Sequence, residues 1–265
     1  MKAILGLALL SVASCGPGRS TFQRYPHATP AFDRAKSDPK AVEIADKVAA
    51  AAGGMDKWAM VKQIRWAELV SNDGKTQLEG EEAWDRWNAR AMGRMLGDHG
   101  DVVVKRDIYG ERLEAWSEQA GKRSALPEKD AEQADKVAKE RWQYDTAALC
   151  MPFLLEEPGS KLGYVGEAAG DDGKPLEVLL LSFDPADTAR TGTSYQVDVD
   201  PTSFQIARIE VVKPGGNIGY KVSGWKEVNG MKFPTVENNI GMASEAITFK
   251  DIKIGEPEDE LYVTF

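Results

Sequence analysis

The chain has 265 residues, a formal net charge of −9 at pH 7 and only two histidines. An acidic chain is unsuited to nucleic acid, whose phosphates require a basic surface, so no nucleic-acid partner is expected. The length suits one large β-rich domain or two small ones, and it allows a substantial hydrophobic core.

The first fourteen residues have the pattern of an export signal. Lys2 supplies a positive charge, and residues 3–10 form an apolar run far shorter than the ~20 residues that span a bilayer. The small residues 11–14 then precede Cys15, which resembles the lipobox of bacterial lipoproteins. The resemblance implies removal of the signal peptide 1–14 and attachment of fatty acyl groups such as palmitate to Cys15. An ordinary secretory signal with an incidental cysteine is the alternative.

A lipidated Cys15 would hold the protein on a membrane, because two or three acyl chains anchor stably at about 0.8 kcal/mol per buried methylene. Gly16 stands where some enteric bacteria place the aspartate that retains lipoproteins at the inner membrane. This favours an outer-membrane protein facing the periplasm wherever that rule applies. Cys150 is then the only remaining thiol, so no internal disulfide can form. Its apolar neighbours predict a buried, inert thiol, with an intermolecular disulfide as the alternative.

Residues 15–37 are predicted to be a flexible tether, because Pro, Gly, Ser and single charges alternate there without a helical or strand period. Order is predicted to begin at Asp38-Pro39, a helix N-cap residue followed by proline at the first helical position. Apolar residues at helical spacing continue to Ala52, and Gly53-Gly54 ends the helix. The folded domain is expected to span 38–265.

Most of the remaining chain favours β-structure, with strands bounded by Gly, Asn and Asp. The predicted strands are residues 61–70, 77–87, 102–109, 112–117, 163–168, 176–183, 194–199, 204–212, 219–228, 231–238 and 247–254. Asn229-Gly230 predicts a type I′ hairpin, Asp200 to Ser203 a second hairpin loop, and Asp171 to Lys174 a hairpin tip. These elements predict a mainly β (α+β) fold with one large curved antiparallel sheet of about eleven strands.

A second helix is predicted from Glu128 to about Leu149, with an apolar stripe opposite Lys, Glu and Gln. Pro152 is expected to stop it near Cys150. The apolar residues 151–155 that follow must be buried. A long helix lying across the concave face of a curved sheet satisfies both requirements.

The order of these elements resembles the LolA/LolB-type superfamily of outer-membrane lipoprotein-sorting proteins, which includes periplasmic stress regulators of RseB type. The resemblance covers about residues 39–265, and its most specific parts are the segments DPTSFQIARIE and VNGMKFP. It implies a half-barrel of about eleven strands, with helices over a concave face that forms an apolar cavity for acyl chains. A lipidated Cys15 departs from a soluble shuttle and suits a LolB-like receptor or a related envelope protein.

Motifs for catalysis are sparse. The chain contains no G-x-S-x-G, H-E-x-x-H or P-loop sequence. Adjacent carboxylates such as Glu81-Glu82 point to opposite faces of a strand and cannot act on one bond. Asp98, His99 and Asp101 could ligate a metal, but five loop residues with flanking glycines favour a polar turn. We therefore expect no enzyme activity, no metal and no cofactor.

The seven tryptophans favour either a packed core or an apolar cavity for lipid tails. Trp84 and Trp87 should face opposite sides of one strand, so at most one points into the core unless a bulge intervenes. The residues predicted to contact a lipid are Trp66, Trp84, Trp116, Trp142, Leu149, Phe153, Leu154 and Tyr195.

The sequence thus predicts a monomeric, membrane-anchored envelope protein whose apolar groove binds a lipid, an acyl chain or an acylated protein without catalysis. The alternative is a structural or regulatory envelope protein whose groove binds a protein partner, as the stress-regulator branch suggests.

Overall fold

The computed structural model describes Tyr25, residues 31–97 and residues 99–263. Cys15, the predicted signal peptide and most of the predicted tether lie outside the described residues. The helices are α1 (Pro39–Ala51), α2 (Met55–Ala59) and α3 (Glu128–Leu154). The strands are β1 (Gln63–Asn72), β2 (Lys75–Asp85), β3 (Arg90–Met95), β4 (Asp101–Asp107), β5 (Leu113–Gln119), β6 (Lys122–Ala125), β7 (Ser160–Ala169), β8 (Pro175–Phe183), β9 (Ser194–Val199), β10 (Ile206–Val211), β11 (Ile218–Ser223), β12 (Lys226–Val228), β13 (Met231–Phe233), β14 (Val236–Asn239) and β15 (Glu245–Gly255).

Thirteen strands form one antiparallel sheet in the order β6-β5-β4-β3-β2-β1-β15-β14-β11-β10-β9-β8-β7. Strands β12 and β13 form a separate two-stranded sheet. Most neighbours in the large sheet are consecutive hairpins, but β15 lies between β1 and β14 and joins two halves of the chain. The predicted mainly β fold with a single large, curved, antiparallel sheet is confirmed.

Helix α1 begins as the sequence predicts. The Asp38 carboxylate accepts hydrogen bonds from the backbone N–H groups of Lys40 and Ala41, and Pro39 is the first helical residue. The chain leaves the helix through Gly53, whose φ is +119°. A Cβ on Gly53 would lie 2.5 Å from the Gly230 carbonyl oxygen, so only glycine allows this close approach. The short helix α2, which the sequence did not predict, then follows.

The predicted hairpins are confirmed. Val228 pairs with Met231 across the two-residue turn Asn229-Gly230, whose φ values of +52° and +72° are those of a type I′ turn. The β9–β10 loop is closed by Asp200, whose carboxylate accepts hydrogen bonds from the N–H groups of Thr202 and Ser203.

The predicted strand list was wrong in two respects. Strands β3 and β6 were not predicted, because RAMGRM and KRSA contain no β-branched or aromatic residue. The predicted strand 219–228 splits into β11 and β12, and 231–238 splits into β13 and β14. Gly224, at a φ of +64°, lies at the first break and redirects the chain out of the large sheet.

The predicted end of the second helix was also wrong, because α3 continues through Pro152 to Leu154. Proline inside a helix removes one hydrogen bond and costs about 3 kcal/mol. The last turns of α3 bury almost their entire surface, and Leu149, Met151, Phe153 and Leu154 are at most 1% exposed. Each such side chain contributes about 1.5–3 kcal/mol on burial, which offsets the cost of the proline.

The two faces of the sheet are covered differently. Helix α3 crosses the concave face, where the main hydrophobic core includes residues of α1, α2, α3 and both halves of the sheet. On the convex face a smaller cluster joins Ala83, Met92, Val103 and Trp116 to Tyr262. Tyr262 is fixed there because its hydroxyl donates to Gln63 Oε1 over 2.6 Å. The larger apolar core therefore lies on the α3 side of the sheet.

Candidate ligand-binding site

The interface between α3 and the sheet has an apolar end, which we call the aromatic core. It consists of Trp58, Trp84, Trp142, Phe153 and Phe233. Phe153 stacks on Trp58 with ring centroids 4.7 Å apart, and Trp84 meets Trp142 edge-on at 5.8 Å. Such aromatic pairs add about 0.5–1.5 kcal/mol beyond burial of their area.

The predicted lipid-contacting residues fall into two groups. Seven of them share the main core beneath α3, namely Trp66, Trp84, Trp142, Leu149, Phe153, Leu154 and Tyr195. All seven are at most 4% exposed and pack within this one core. Trp116 lies in the convex cluster with Tyr262, on the opposite face of the sheet. The structure therefore does not bring Trp116 together with the other seven.

Trp84 and Trp87, which were predicted to face opposite sides of one strand, are separated by the end of β2. Trp84 is buried in β2, whereas Trp87 lies beyond the end of that strand in the β2–β3 loop. The Trp87 ring contacts Tyr25, with centroids 6.5 Å apart, and Lys62 Nζ lies 4.9 Å from it. Only Trp84 therefore contributes to the interior.

Beside the aromatic core lies a buried polar group, which we call the carboxylate cluster. It comprises Glu68 of β1, Glu82 of β2, Glu237 of β14, and Asp145 and Arg141 of α3. Arg141 Nη2 donates a hydrogen bond to Glu68 Oε2. Arg141 Nε lies 3.5 Å from Glu82 Oε1, and Nη2 lies 4.0 Å from Asp145 Oδ2. Arg141 thus contacts three carboxylates between the helix and the sheet, and the fourth, Glu237, interacts electrostatically with Glu68 and Asp145.

The alternation of side chains along a strand points two of these acids into the interior. Glu68 follows Trp66 by two residues, and Glu82 precedes Trp84 by two, so each shares the inward face of its strand with a tryptophan. Gly80 makes room for the arginine, because a Cβ there would lie 2.6 Å from Arg141 Nη2. Sequence reasoning missed this cluster, although glutamates two residues from buried tryptophans were the available signal.

Burial changes the acidity of the cluster. Desolvation raises the pKa of Glu82 to about 8, against the opposing effect of Arg141. Desolvation, assisted by repulsion from Glu68, also raises the pKa of Glu237 to about 8. The pKa of Asp145 is raised well above its usual range by the same desolvation, with Glu68 and Glu82 adding to it. One oxygen of each of these three carboxylates has no hydrogen-bond partner.

Two further buried ion pairs stiffen the interior. Arg86 of the β2–β3 loop pairs with Glu157, and its Nη1 donates to the carbonyl oxygens of Trp58 and Val61 over 2.7 and 2.6 Å. Trp58 Nε1 also donates to Glu157 Oε1 over 2.6 Å. Arg190 pairs with Asp187 at 3.5 Å. The Arg86–Glu157 pair is thus held by several hydrogen bonds, whereas Asp187 Oδ2 and Arg190 Nη2 have no hydrogen-bond partner.

The described residues do not form a metal site: no group of three or more His, Cys, Asp or Glu side chains is arranged to hold an ion. Asp98 lies outside the described residues, so the predicted loop of Asp98, His99 and Asp101 is described only in part. Cys150 is fully buried in α3, as predicted, and desolvation raises the pKa of its thiol. Within the described ranges, no helix is both long enough and apolar enough to cross a bilayer.

Comparisons with known proteins identify similar folds. Neither a known protein family nor a curated protein matches the sequence. A LolA superfamily protein from Nitrosomonas europaea aligns with 86% of this chain and 98% of its own, at 11% identity and a TM-score of 0.48. A putative outer membrane lipoprotein-sorting protein domain from Vibrio parahaemolyticus aligns with 84% of this chain and 96% of its own, at 11% identity and a TM-score of 0.45.

A DUF1329 family protein from Desulfovibrio piger aligns with 82% of this chain and 94% of its own, at 11% identity and a TM-score of 0.46. Two of these three structures are thus LolA-type or lipoprotein-sorting proteins. The likeness concerns the fold alone, so ligand and partner must be inferred from this chain's own residues.

Proposed function

We propose that this protein is a lipid-anchored envelope protein that binds an acyl chain, a lipid or an acylated protein on the concave face of its sheet, without catalysis. The proposal rests on the way in which the concave face is covered. Helix α3, together with α1 and α2, separates a large apolar interior from solvent, and its middle is held by the carboxylate cluster as well as by the packing of Trp142.

An acyl chain has the chemistry needed to replace the inner face of α3. That face contributes Trp142, Leu149, Phe153 and Leu154 to the core, all of them apolar. A ligand gains affinity from apolar area removed from water, at about 25 cal/mol per Å². A bound tail would therefore recover much of the free energy lost when α3 moves away from the sheet.

The proposal can be tested by locking α3 onto the sheet. A Cβ built on Gly93 of β3 lies 3.8 Å from the Ala138 Cβ of α3, a separation that suits a disulfide. We expect Gly93→Cys/Ala138→Cys, in a Cys15→Ser background, to bind a fluorescent fatty-acyl probe when reduced. The oxidised form should lose at least tenfold in affinity, because the helix can no longer leave the concave face.

Two controls make this experiment decisive. The Cys15→Ser protein without the new cysteines should bind the probe equally under oxidising and reducing conditions. If that protein shows no saturable binding, amphiphile binding is refuted. If the disulfide forms, as verified by mass, and affinity is unchanged, then the ligand site does not lie beneath α3.

Anchoring through Cys15 is a separate part of the proposal, supported by the residues around the cysteine. Metabolic labelling with a fatty-acid probe should mark the wild-type protein and Cys150→Ser, since Cys150 is buried. Cys15→Ser should lose the label and accumulate as unprocessed precursor. A labelled Cys15→Ser protein would contradict the anchor, and outer-membrane placement should be checked by membrane fractionation of the labelled protein.

A further inference from the structure

We propose that protons held in the carboxylate cluster keep α3 closed over the concave face, and that their release opens it. This inference concerns the regulation of the ligand site and rests on the proposed function for its consequence, although the motion itself can be tested without a ligand.

The first argument is the distribution of charge across the interface. The sheet supplies Glu68, Glu82 and Glu237, and the helix supplies Asp145 and Arg141. If all four carboxylates ionise, the single guanidinium faces an excess of three negative charges at low exposure to solvent. Repulsion between Asp145 and the three glutamates then acts directly across the surface that α3 must leave.

The second argument is the pairing within the cluster. Among the described residues, Arg141 is the only cation within 4.0 Å of these carboxylates, and it hydrogen-bonds only Glu68. One oxygen each of Glu82, Asp145 and Glu237 is buried without a hydrogen-bond partner. A buried neutral carboxyl is tolerated far better than a buried unpaired carboxylate. The closed form therefore favours protons on these groups.

The neighbouring titratable groups supply no compensating charge. Tyr220 of β11 interacts electrostatically with Glu237 and Glu68, and burial raises the pKa of Tyr220 to about 12, so it stays neutral. Glu245 of β15 interacts with the same tyrosine and accepts a hydrogen bond from Asn239 Nδ2 over 2.8 Å. Tyr195 of β9 interacts electrostatically with both Glu237 and Arg190, and Arg190 is paired with Asp187.

Proton release is expected within an accessible pH range. The pKa values of about 8 for Glu82 and Glu237 place their ionisation between about pH 7 and pH 9. Below that range Glu82 and Glu237 are largely protonated and the helix is closed. Above it, the accumulated negative charge weakens the attachment of α3, and its buried residues, Cys150 among them, reach solvent more often.

Cys150 provides a natural probe for this motion. It is fully buried in α3 and is the only thiol in a Cys15→Ser protein, because the chain has two cysteines. Its rate of reaction with an aromatic disulfide reagent should be measured from pH 6 to pH 9 and divided by the rate of urea-unfolded protein at the same pH. This ratio corrects for the thiolate fraction. We expect the ratio to rise at least tenfold between pH 7 and pH 9.

Variants assign the rise to the cluster. Glu82→Gln/Glu237→Gln should abolish it, because glutamine keeps the shape and cannot ionise. Glu81→Gln is the matched control: Glu81 is adjacent in β2 but exposed, so this variant should behave as wild type. Oxidised Gly93→Cys/Ala138→Cys should also suppress the rise by tethering the helix to β3.

Three outcomes would overturn the inference. These are a flat ratio in the Cys15→Ser protein, an unchanged rise in the double glutamine variant, and a rise accompanied by loss of the β-sheet circular dichroism signal. The last would report unfolding of the whole domain. Because no ligand is present, failure here leaves the probe-binding result intact, and failure of probe binding leaves this result intact.

Discussion

The two parts of the α3–sheet interface hold the helix in place by different physical means. The aromatic core joins helix to sheet through nondirectional apolar contact, with Phe153 stacked on Trp58 and packed 5.6 Å from Phe233. The carboxylate cluster joins them through one arginine and an excess of acids. Apolar contact is indifferent to pH, whereas the charged contact depends on its protons. We infer that the first part supplies stability and the second makes the position of the helix conditional.

The largest effect should come from the aromatic core. Phe153→Ala removes a fully buried ring and leaves a cavity against Trp58 and Phe233. It should lower the free energy of unfolding by about 3–5 kcal/mol at any pH between 5 and 9, as measured by urea denaturation. A loss below 1 kcal/mol, or one that varies with pH, would contradict the distinction between the two parts.

The next effect should come from the only cation of the carboxylate cluster. Arg141→Gln leaves Glu68 without its partner and should cost about 3 kcal/mol at pH 8, and less at pH 5, where Glu82 and Glu237 are protonated. Urea denaturation at both pH values measures the difference. Arg123→Gln on the exposed strand β6 is the control. Equal losses at pH 5 and pH 8 would mean that Arg141 acts by packing alone.

The hairpin that places Phe233 in the aromatic core offers an intermediate test. Gly230 has a φ of +72°, which a β-branched residue adopts only with strain. Gly230→Val should therefore cost about 1–3 kcal/mol, and the melting temperature should fall in proportion at all pH values. An unchanged thermal melt would argue against a strained type I′ turn at this position.

A smaller effect, on the pH dependence of stability, distinguishes the carboxylate cluster from the aromatic core. In the unfolded chain the Glu237 carboxyl has its ordinary pKa, whereas burial raises its pKa in the folded protein to about 8. Its proton therefore favours the fold at low pH, and that stability is lost as the pH rises from about 4.5 through 8. The melting temperature of Glu237→Gln should fall less than that of wild type over this range. Identical slopes would show that Glu237 does not titrate within the fold.

The smallest effect is expected far from the interface. Lys174 pairs with Asp172 over 2.8 Å at the exposed β7–β8 hairpin tip. Lys174→Glu should leave the melting temperature, the Cys150 reaction and probe binding unchanged within error. A change in probe binding would indicate a ligand surface outside the concave face.

The sequence predicted much of this architecture because its signals were local. Asp38-Pro39 and Asn229-Gly230 specify their cap and turn through side-chain chemistry and positive φ, independently of the rest of the chain. The end of α3 was mispredicted because the burial that offsets Pro152 comes from distant strands. The face of the sheet on which Trp116 lies could not be predicted either, because it depends on where Tyr262 packs.

The candidate site was predictable only in its apolar part. Tryptophans and leucines indicate an interior wherever they occur, and seven of the eight chosen residues share one core. Glutamates normally mark the exposed face of a strand, so the only sign that Glu68 and Glu82 lie inside was their two-residue spacing from tryptophans. Only the approach of Arg141, more than 50 residues away in the chain, reveals them as a cluster.

The place of β15 in the sheet has a consequence for how the chain acquires its structure. β15 pairs with β1, so Gln63 meets Gly255, and no other strand connects the β1–β6 half to the β7–β14 half. Until β15 has been synthesised and inserted, β1 presents a long unpaired edge that can pair with another chain. Contacts so distant in sequence also slow folding. Production of this protein should therefore depend on protection of that edge during synthesis, and truncation before residue 245 should yield aggregates rather than a smaller domain.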